Sequence, residues 1–129
     1  GKKYTSRSQC RNTRGIEMKE QKRFANHTNR CFQMRFINGL VLSMNVGACG
    51  YNDNHESYDF NKDKVETDTV ECAVWIDIPG HPQHQEWITQ TFFPNAEDGI
   101  CSVVGYVSME EFQDALIKIM AWQAQQEQP

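Results

Sequence analysis

The sequence lacks most of the features that identify an enzyme or a membrane protein. It has no apolar run long enough to span a bilayer, no Cys-x-x-Cys pair and no glycine-rich phosphate-binding loop. The residue set of the protein kinases and any paired-carboxylate motif are also missing. These absences predict a non-catalytic protein that uses no cofactor and does not enter a membrane.

The cysteines do not form the pattern of a disulfide framework. Five of them stand at positions 10, 31, 49, 72 and 101, so their number is odd and their spacing wide. Nothing near residue 1 resembles a signal peptide. We therefore expect a reduced chain in the cytoplasm.

Charge is distributed unevenly along the chain. Residues 1–35 hold ten Lys or Arg against two Glu, a net charge of +8, whereas residues 36–129 hold three Lys against fifteen acidic residues, a net charge of −12; together they give the −4 of the whole chain. We interpret residues 1–30 as a basic N-terminal arm and residues 31–129 as a single domain. Such an arm binds an acidic partner or folds onto an acidic body, its own or that of a second copy in a homodimer.

The stretch from Cys31 to Val46 predicts a β-hairpin around Asn38-Gly39. A two-residue turn would divide the apolar side chains between both faces of the hairpin. A three-residue loop over residues 37–39 instead places them on one face, and burial favours this register. The predicted pairs are Phe36 with Leu40, Met34 with Leu42, and Phe32 with Met44.

Two further strands and one short apolar segment are indicated after the hairpin. Val70–Ile78 alternates with its apolar residues inward, so that Glu71 and Asp77 face outward and Trp75 needs a partner or an overlying loop. Glu86–Phe93 is the second strand, with Trp87 and Phe93 on one face, and the short apolar segment Ile100–Val104 is either an edge strand or a linker packed beneath the helix. Residues 17–24 could form two helical turns in the arm.

A helix is predicted from Ser108 onward. Ser108 and Glu111 have the spacing of a capping box, with Val107 and Phe112 at the positions of a hydrophobic staple. The apolar stripe that follows comprises Phe112, Ala115, Leu116, Ile119, Met120 and Trp122. The fold class is therefore α+β, an antiparallel β-meander of about four strands packed by one C-terminal amphipathic helix.

The sequence favours neither a metal site nor an activated nucleophile. Asp59, Asn61 and Asp63 alternate as in an EF-hand loop, but Lys64 and Val70 occupy the positions of its glycine and its bidentate glutamate. The soft ligands Cys49, His55, His81 and His84 do not lie at metal-site spacing. A hydrolase using Cys49 and His55 is the least favoured hypothesis, because no group that would tune the thiol is evident.

The favoured site is the acidic surface formed by the long polar segment after the hairpin. We expect it to bind and to inhibit or modulate a larger protein, and its candidate residues are Asp53, Glu56, Asp59, Asp63, Glu66 and Asp68. The alternative is a nucleotide or nucleic-acid binding protein. In that case arginines would contact phosphates and tryptophans would stack on bases, the candidates being Arg7, Arg11, Arg14, Arg23, Trp75 and Trp87.

Three segments carry a resemblance to a group of proteins. Phe36-Ile-Asn-Gly39 followed by Ser43, then Val70–Trp75, then Gly105-Tyr-Val-Ser-Met-Glu-Glu111 are similar to segments of small uncharacterised proteins encoded by tailed phages and prophages. The resemblance implies an α+β accessory protein that acts on a host protein in the bacterial cytoplasm. Antagonists of host defence, anti-CRISPR proteins among them, are the activity that it suggests.

Overall fold

Five antiparallel strands form one sheet whose spatial order follows the chain. The computed structural model describes residues 22–28, 30–48, 50–56, 64–97 and 102–124. Within these residues the α+β antiparallel meander is confirmed, with five strands instead of about four. The elements are β1 (Phe24–His27), β2 (Cys31–Arg35), β3 (Leu40–Asn45), β4 (Val70–Ile76), α1 (Thr89–Phe92), β5 (Val104–Val107) and α2 (Met109–Ala121).

The β2–β3 hairpin has the predicted three-residue loop. Met34 pairs with Leu42, the Phe36 N–H donates to the Leu40 carbonyl at 2.8 Å, and Gly39 has a φ of +94°. A side chain at Gly39 would collide with Ile78, so both the turn and its packing require glycine. Burial of the apolar face therefore selects the register.

Strand β1 was not predicted, and it lies among the residues that we assigned to the basic arm. Phe24 pairs with Met34 and Ala25 with Gln33, so β1 forms one edge of the described sheet. All four of its residues are exposed. Because neither face of β1 is buried, its sequence has no alternation of apolar and polar residues that would indicate a strand. Of the helix predicted for residues 17–24, Phe24 lies in β1 and residues 17–21 lie outside the described residues.

The prediction of a strand over Glu86–Phe93 is wrong. Only the start of this segment pairs with β4, through a bridge between Trp75 and Trp87. The chain then turns at Thr89 into the single helical turn α1, which buries Phe92 and Phe93. Residues 86–93 and β5 would need the same edge of β4, and β5 already pairs with the first half of that strand.

Strand β5 begins later than predicted. It overlaps the predicted segment Ile100–Val104 only at Val104, and residues 100 and 101 lie outside the described part of the chain. Val70 pairs with Val107 and Cys72 with Val104, so β5 carries an extra residue relative to β4. Tyr106, with a φ of +52°, lies in this β-bulge.

Helix α2 begins with the predicted capping box. The Ser108 hydroxyl accepts from the Glu111 N–H, and the Glu111 carboxylate accepts from the Ser108 N–H at 2.9 Å. Ala115 and Ile119 are buried in the core, whereas Met120 is 58% exposed, so its place in the predicted apolar stripe is wrong. The remaining members, Phe112, Leu116 and Trp122, pack against the core.

Helix α2 covers only part of the sheet. A helix is about 10 Å wide with its side chains and strands lie about 4.8 Å apart, so one helix covers about two strands. Its buried residues Ala115 and Ile119 belong to the same core cluster as Leu42 of β3 and Val74 of β4. Phe24 of β1, 76% exposed, and Phe32 of β2, 36% exposed, face the same side without that cover. We call the opposite side, which carries Trp75, the open face.

Candidate functional site

Two loops meet at one end of the sheet, where β3 ends and β4 begins. We call residues 50–56 and 64–69 the loop end. The first loop is organised by Asn52, which is only 1% exposed. Its side-chain amide donates to the carbonyls of Asn45 at 2.9 Å and Gly47 at 3.1 Å, and its oxygen accepts from the Asn54 N–H at 2.7 Å. These bonds satisfy backbone groups that would otherwise have no partner in the turn.

The second loop is attached to the first by side chains. Asn54 donates to the Glu66 carbonyl at 2.8 Å. The Thr69 hydroxyl donates to the Asp53 carboxylate at 2.7 Å and accepts from the Asp53 N–H at 3.0 Å. The two loops are therefore one hydrogen-bonded unit, although sixteen residues separate Asp53 from Thr69 in sequence.

Four of the predicted acidic site residues lie together on this unit. Asp53, Glu56, Glu66 and Asp68 are all exposed at the loop end; Asp59 and Asp63 lie outside the described residues. Lys64 is the one described cation of the loop end, 3.6 Å from Glu66, and both side chains are at least 75% exposed. Such a pair contributes little, so the surface is net acidic.

An apolar groove lies over β1, β2 and the end of β3, on the side of the sheet that α2 only partly covers. Its volume is about 320 Å³, and its lining includes Phe24, Phe32, Met34 and Met44. The groove exists because the apolar residues of β1 and β2 lie beyond the width of α2. The sequence placed three of these four side chains on the apolar face of the hairpin, but the contribution of β1 was missed.

A smaller pocket continues the groove toward the loop end. It has a volume of about 100 Å³, and Met44 lines both cavities. Phe112 and Met109 of α2 form its other apolar wall, and Asp68 lies at its rim. The groove and the pocket therefore meet at Met44, and the pocket reaches the acidic surface at Asp68.

On the open face, the first loop crosses the sheet above β4 and β5. The Tyr51 carbonyl accepts from the Tyr106 N–H at 2.7 Å, and a Cβ added at Gly105 would lie 2.6 Å from that of Tyr51. The Tyr51 backbone also hydrogen-bonds to the Glu71 carboxylate, and His55 is close to it. Burial is the larger effect and raises the pKa of Glu71 above its ordinary value.

The residues of the nucleotide alternative are only partly brought together. Trp75 and Trp87 stack on each other, with ring centroids 5.3 Å apart and an interplanar angle of 22°; Trp87 is the covering partner that Trp75 was predicted to need. Arg23 lies opposite Arg35 at the β1 edge of the sheet and donates to the Phe36 carbonyl at 3.1 Å. Arg7, Arg11 and Arg14 lie outside the described residues.

Arg35 was not identified from the sequence, and it forms an ion pair with Asp77 across β3. The Asp77 side chain is only 6% exposed, and His84 Nδ1 lies 3.6 Å from its carboxylate. Burial, and then the charge of Arg23, lower the pKa of Arg35. Asp77 therefore offsets much of the positive charge that a phosphate would need on this face.

The thiols and imidazoles show no catalytic arrangement in the described part of the chain. Burial, with the nearby charge of Glu71, raises the pKa of Cys72 to about 12, which leaves it protonated at neutral pH. Cys49 lies outside the described residues. His55 Nδ1 is 2.8 Å from the Gly50 carbonyl, and in the described ranges no group of three or more His, Cys, Asp or Glu could hold a metal ion.

Comparison with protein-family models, curated protein sequences and solved structures gives no match. The resemblance to phage proteins accordingly stays a prediction. Among the described residues, neither helix has the length and apolar character needed to cross a bilayer.

Proposed function

We propose that this protein is a non-catalytic binding protein that attaches to a larger protein and inhibits or modulates it. The contact surface is the loop end together with the apolar groove. One observation carries the proposal: the apolar groove on β1, β2 and β3 shares Met44 with a pocket that α2 and Asp68 also line. Contiguous exposed apolar surface beside polar residues is typical of protein interaction sites.

The chemistry of the surface defines the partner. Apolar side chains of the partner fill the groove beside Phe24 and Met44, and Lys or Arg residues contact Asp53, Glu66 and Asp68. The apolar contacts supply most of the affinity, while opposite charges accelerate encounter and fix the orientation. The phage-protein resemblance suggests a bacterial host protein, with defence proteins among the candidates.

Rigidity of the loop end supports the proposal. Asn52 and the Asp53–Thr69 bonds fix the positions of the acidic residues before any partner binds. A surface that is ordered in advance loses less conformational entropy on binding. The acidic side chains themselves stay exposed, which is the arrangement expected of charges that pair with another molecule.

The test compares three forms of the chain as bait in a bacterial lysate, with bound proteins quantified by mass spectrometry. Met109→Gln alters the pocket, and Met120→Gln is the matched control, since both methionines are exposed on α2 but only Met109 lines the pocket. We expect a protein that binds wild type and the control and loses about tenfold affinity for Met109→Gln, about 1.4 kcal/mol. The proposal fails when no captured protein distinguishes the two variants.

Nucleotide binding on the open face is a second candidate. Its support is that the strand register places Arg23 on the same face as Trp75 and Trp87. A thermal-shift panel of nucleotides tests it, because a ligand at 100 times its Kd adds about 2.7 kcal/mol of stability. A panel without any shift would exclude this function.

A further inference from the structure

We propose that Glu71, Tyr51 and His55 form a binding site for the guanidinium group of an arginine side chain. The proposal rests on the function proposed above, since the arginine belongs to the partner protein. It adds a second contact point, on the open face, to the groove on the helix side of the sheet. Three observations support it.

The first is a half-buried carboxylate that none of the described Lys or Arg residues neutralises. Glu71 lies on β4 opposite Asn45, and none of the described Lys or Arg residues forms an ion pair with it. Its neighbours are the Tyr51 backbone and His55. A carboxylate in this position is better stabilised by a cation than by one N–H group.

The second is a pair of stacked rings beside that carboxylate. The rings of Tyr51 and His55 lie 5.4 Å apart with an interplanar angle of 14°. Tyr51 is 51% exposed, so part of the pair faces solvent. A guanidinium group is planar, stacks on aromatic rings and donates two parallel hydrogen bonds to a carboxylate.

The third is that the site is fixed before binding. The Gly50 carbonyl accepts a hydrogen bond from His55 Nδ1–H, which orients the imidazole. The Tyr51 carbonyl accepts a hydrogen bond from the Tyr106 N–H of β5, and Tyr51 lies in close contact with Gly105, which has no side chain. The acidic residues of the loop end, Asp53 and Glu56 among them, favour the approach of a cation.

The test is a ¹⁵N-HSQC titration of the full chain with N-acetyl-arginine amide, with N-acetyl-citrulline amide as the neutral isostere. We expect saturable shifts at the amides of Tyr51, His55 and Glu71, with a Kd on the order of 1 mM. Citrulline should cause no saturable shift. Glu71→Gln should weaken binding by about five- to tenfold, whereas Asp53→Asn, an equal loss of charge on the neighbouring loop end, should weaken it by less than about twofold.

The outcomes separate this proposal from the broader one. Absence of saturable shifts with the arginine probe overturns it, as does an equal effect of citrulline. An equal effect of Asp53→Asn and Glu71→Gln overturns it too, because the binding would then be general attraction to acidic residues. Where Glu71→Gln changes the ¹⁵N-HSQC spectrum throughout the protein, Tyr51→Leu takes its place, and its affinity for the arginine probe is compared with that of Asp53→Asn in the same way. A failed lysate capture with a positive titration contradicts only the function proposed above.

Discussion

Replacement of Thr89 by valine tests how the chain leaves β4 and enters α1. Thr89 is fully buried. Its hydroxyl accepts from the Val74 N–H at 3.0 Å and donates to the Ser102 carbonyl at 2.8 Å. Valine has nearly the same shape but neither bond, so the substitution isolates the hydroxyl.

The loss of stability follows from the two backbone groups that lose their partner, the Val74 N–H and the Ser102 carbonyl. β5 pairs with β4 only at Val70 and Cys72, so Val74 lies beyond the end of that ladder and relies on Thr89. A buried backbone group that loses its partner costs about 1–3 kcal/mol. With two such groups, the free energy of unfolding should fall by about 2–6 kcal/mol. For a chain of this length the Tm would then fall by about 8–24 °C.

The assay is urea unfolding of wild type, Thr89→Val and Thr89→Ser, followed by circular dichroism. Serine keeps both hydrogen bonds and removes one buried methyl group, a loss of about 1 kcal/mol. We expect the valine variant to be the least stable of the three and the Val74 amide to exchange faster with solvent. A valine variant as stable as the serine variant would refute the reasoning, since packing rather than hydrogen bonding would then determine stability.

Three further predictions concern the loop end and its surroundings. Asn52→Leu deprives the Asn45 and Gly47 carbonyls of their donor and should lower the free energy of unfolding by about 2–4 kcal/mol in urea; a loss below about 1 kcal/mol would contradict this. Because burial raises the pKa of Glu71, the folded state holds a proton that the unfolded chain releases, so wild-type stability falls relative to Glu71→Gln as the pH rises through the raised pKa. Tm values at pH 4 to 7 measure this, and a constant difference between the two proteins would disprove it. With its pKa at about 12, Cys72 has a thiolate fraction of about one in ten thousand at pH 8, so iodoacetamide should alkylate it only after unfolding; rapid labelling of the native protein would show otherwise.

Local sequence patterns predicted the elements whose stability is decided locally. The hairpin register followed from the alternation on both sides of Gly39, and the start of α2 followed from Ser108 and Glu111. In both cases the residues that specify the structure are adjacent in the chain. Agreement between turn chemistry, capping and apolar pattern makes such segments predictable.

Elements that depend on distant residues were missed. β1 has no pattern of its own and is defined by pairing with β2. The alternation from Trp87 to Phe93 is that of a strand, but the edge of β4 that it would need is shared with β5. Tertiary competition for one row of hydrogen-bonding groups therefore overrode the periodicity.

The same distinction applies to the candidate site. Composition was enough to nominate Asp53, Glu66 and Asp68, because a run of acidic residues is visible in the sequence. The groove could be anticipated only in part, since it depends on the width of α2 relative to the sheet. The approach of Tyr51 to Glu71 could not be anticipated, because it depends on how a loop crosses two strands.

Glu71 lies near the start of β4 and Asp77 directly follows its end, and the two carboxylates differ in their partners. Glu71 and Asp77 were both predicted to face outward from β4, and the pattern alone treats them alike. Asp77 receives the guanidinium of Arg35 from β2, so its charge contributes to holding the sheet together. Glu71 receives an N–H group and an imidazole but, among the described residues, no Lys or Arg. No described Lys or Arg offsets the cost of burying the Glu71 carboxylate. Such a carboxylate is expected where the cation comes from another molecule. This difference, and not the number of acidic residues, is the physical reason to look for the partner where the loop end meets Glu71 of β4.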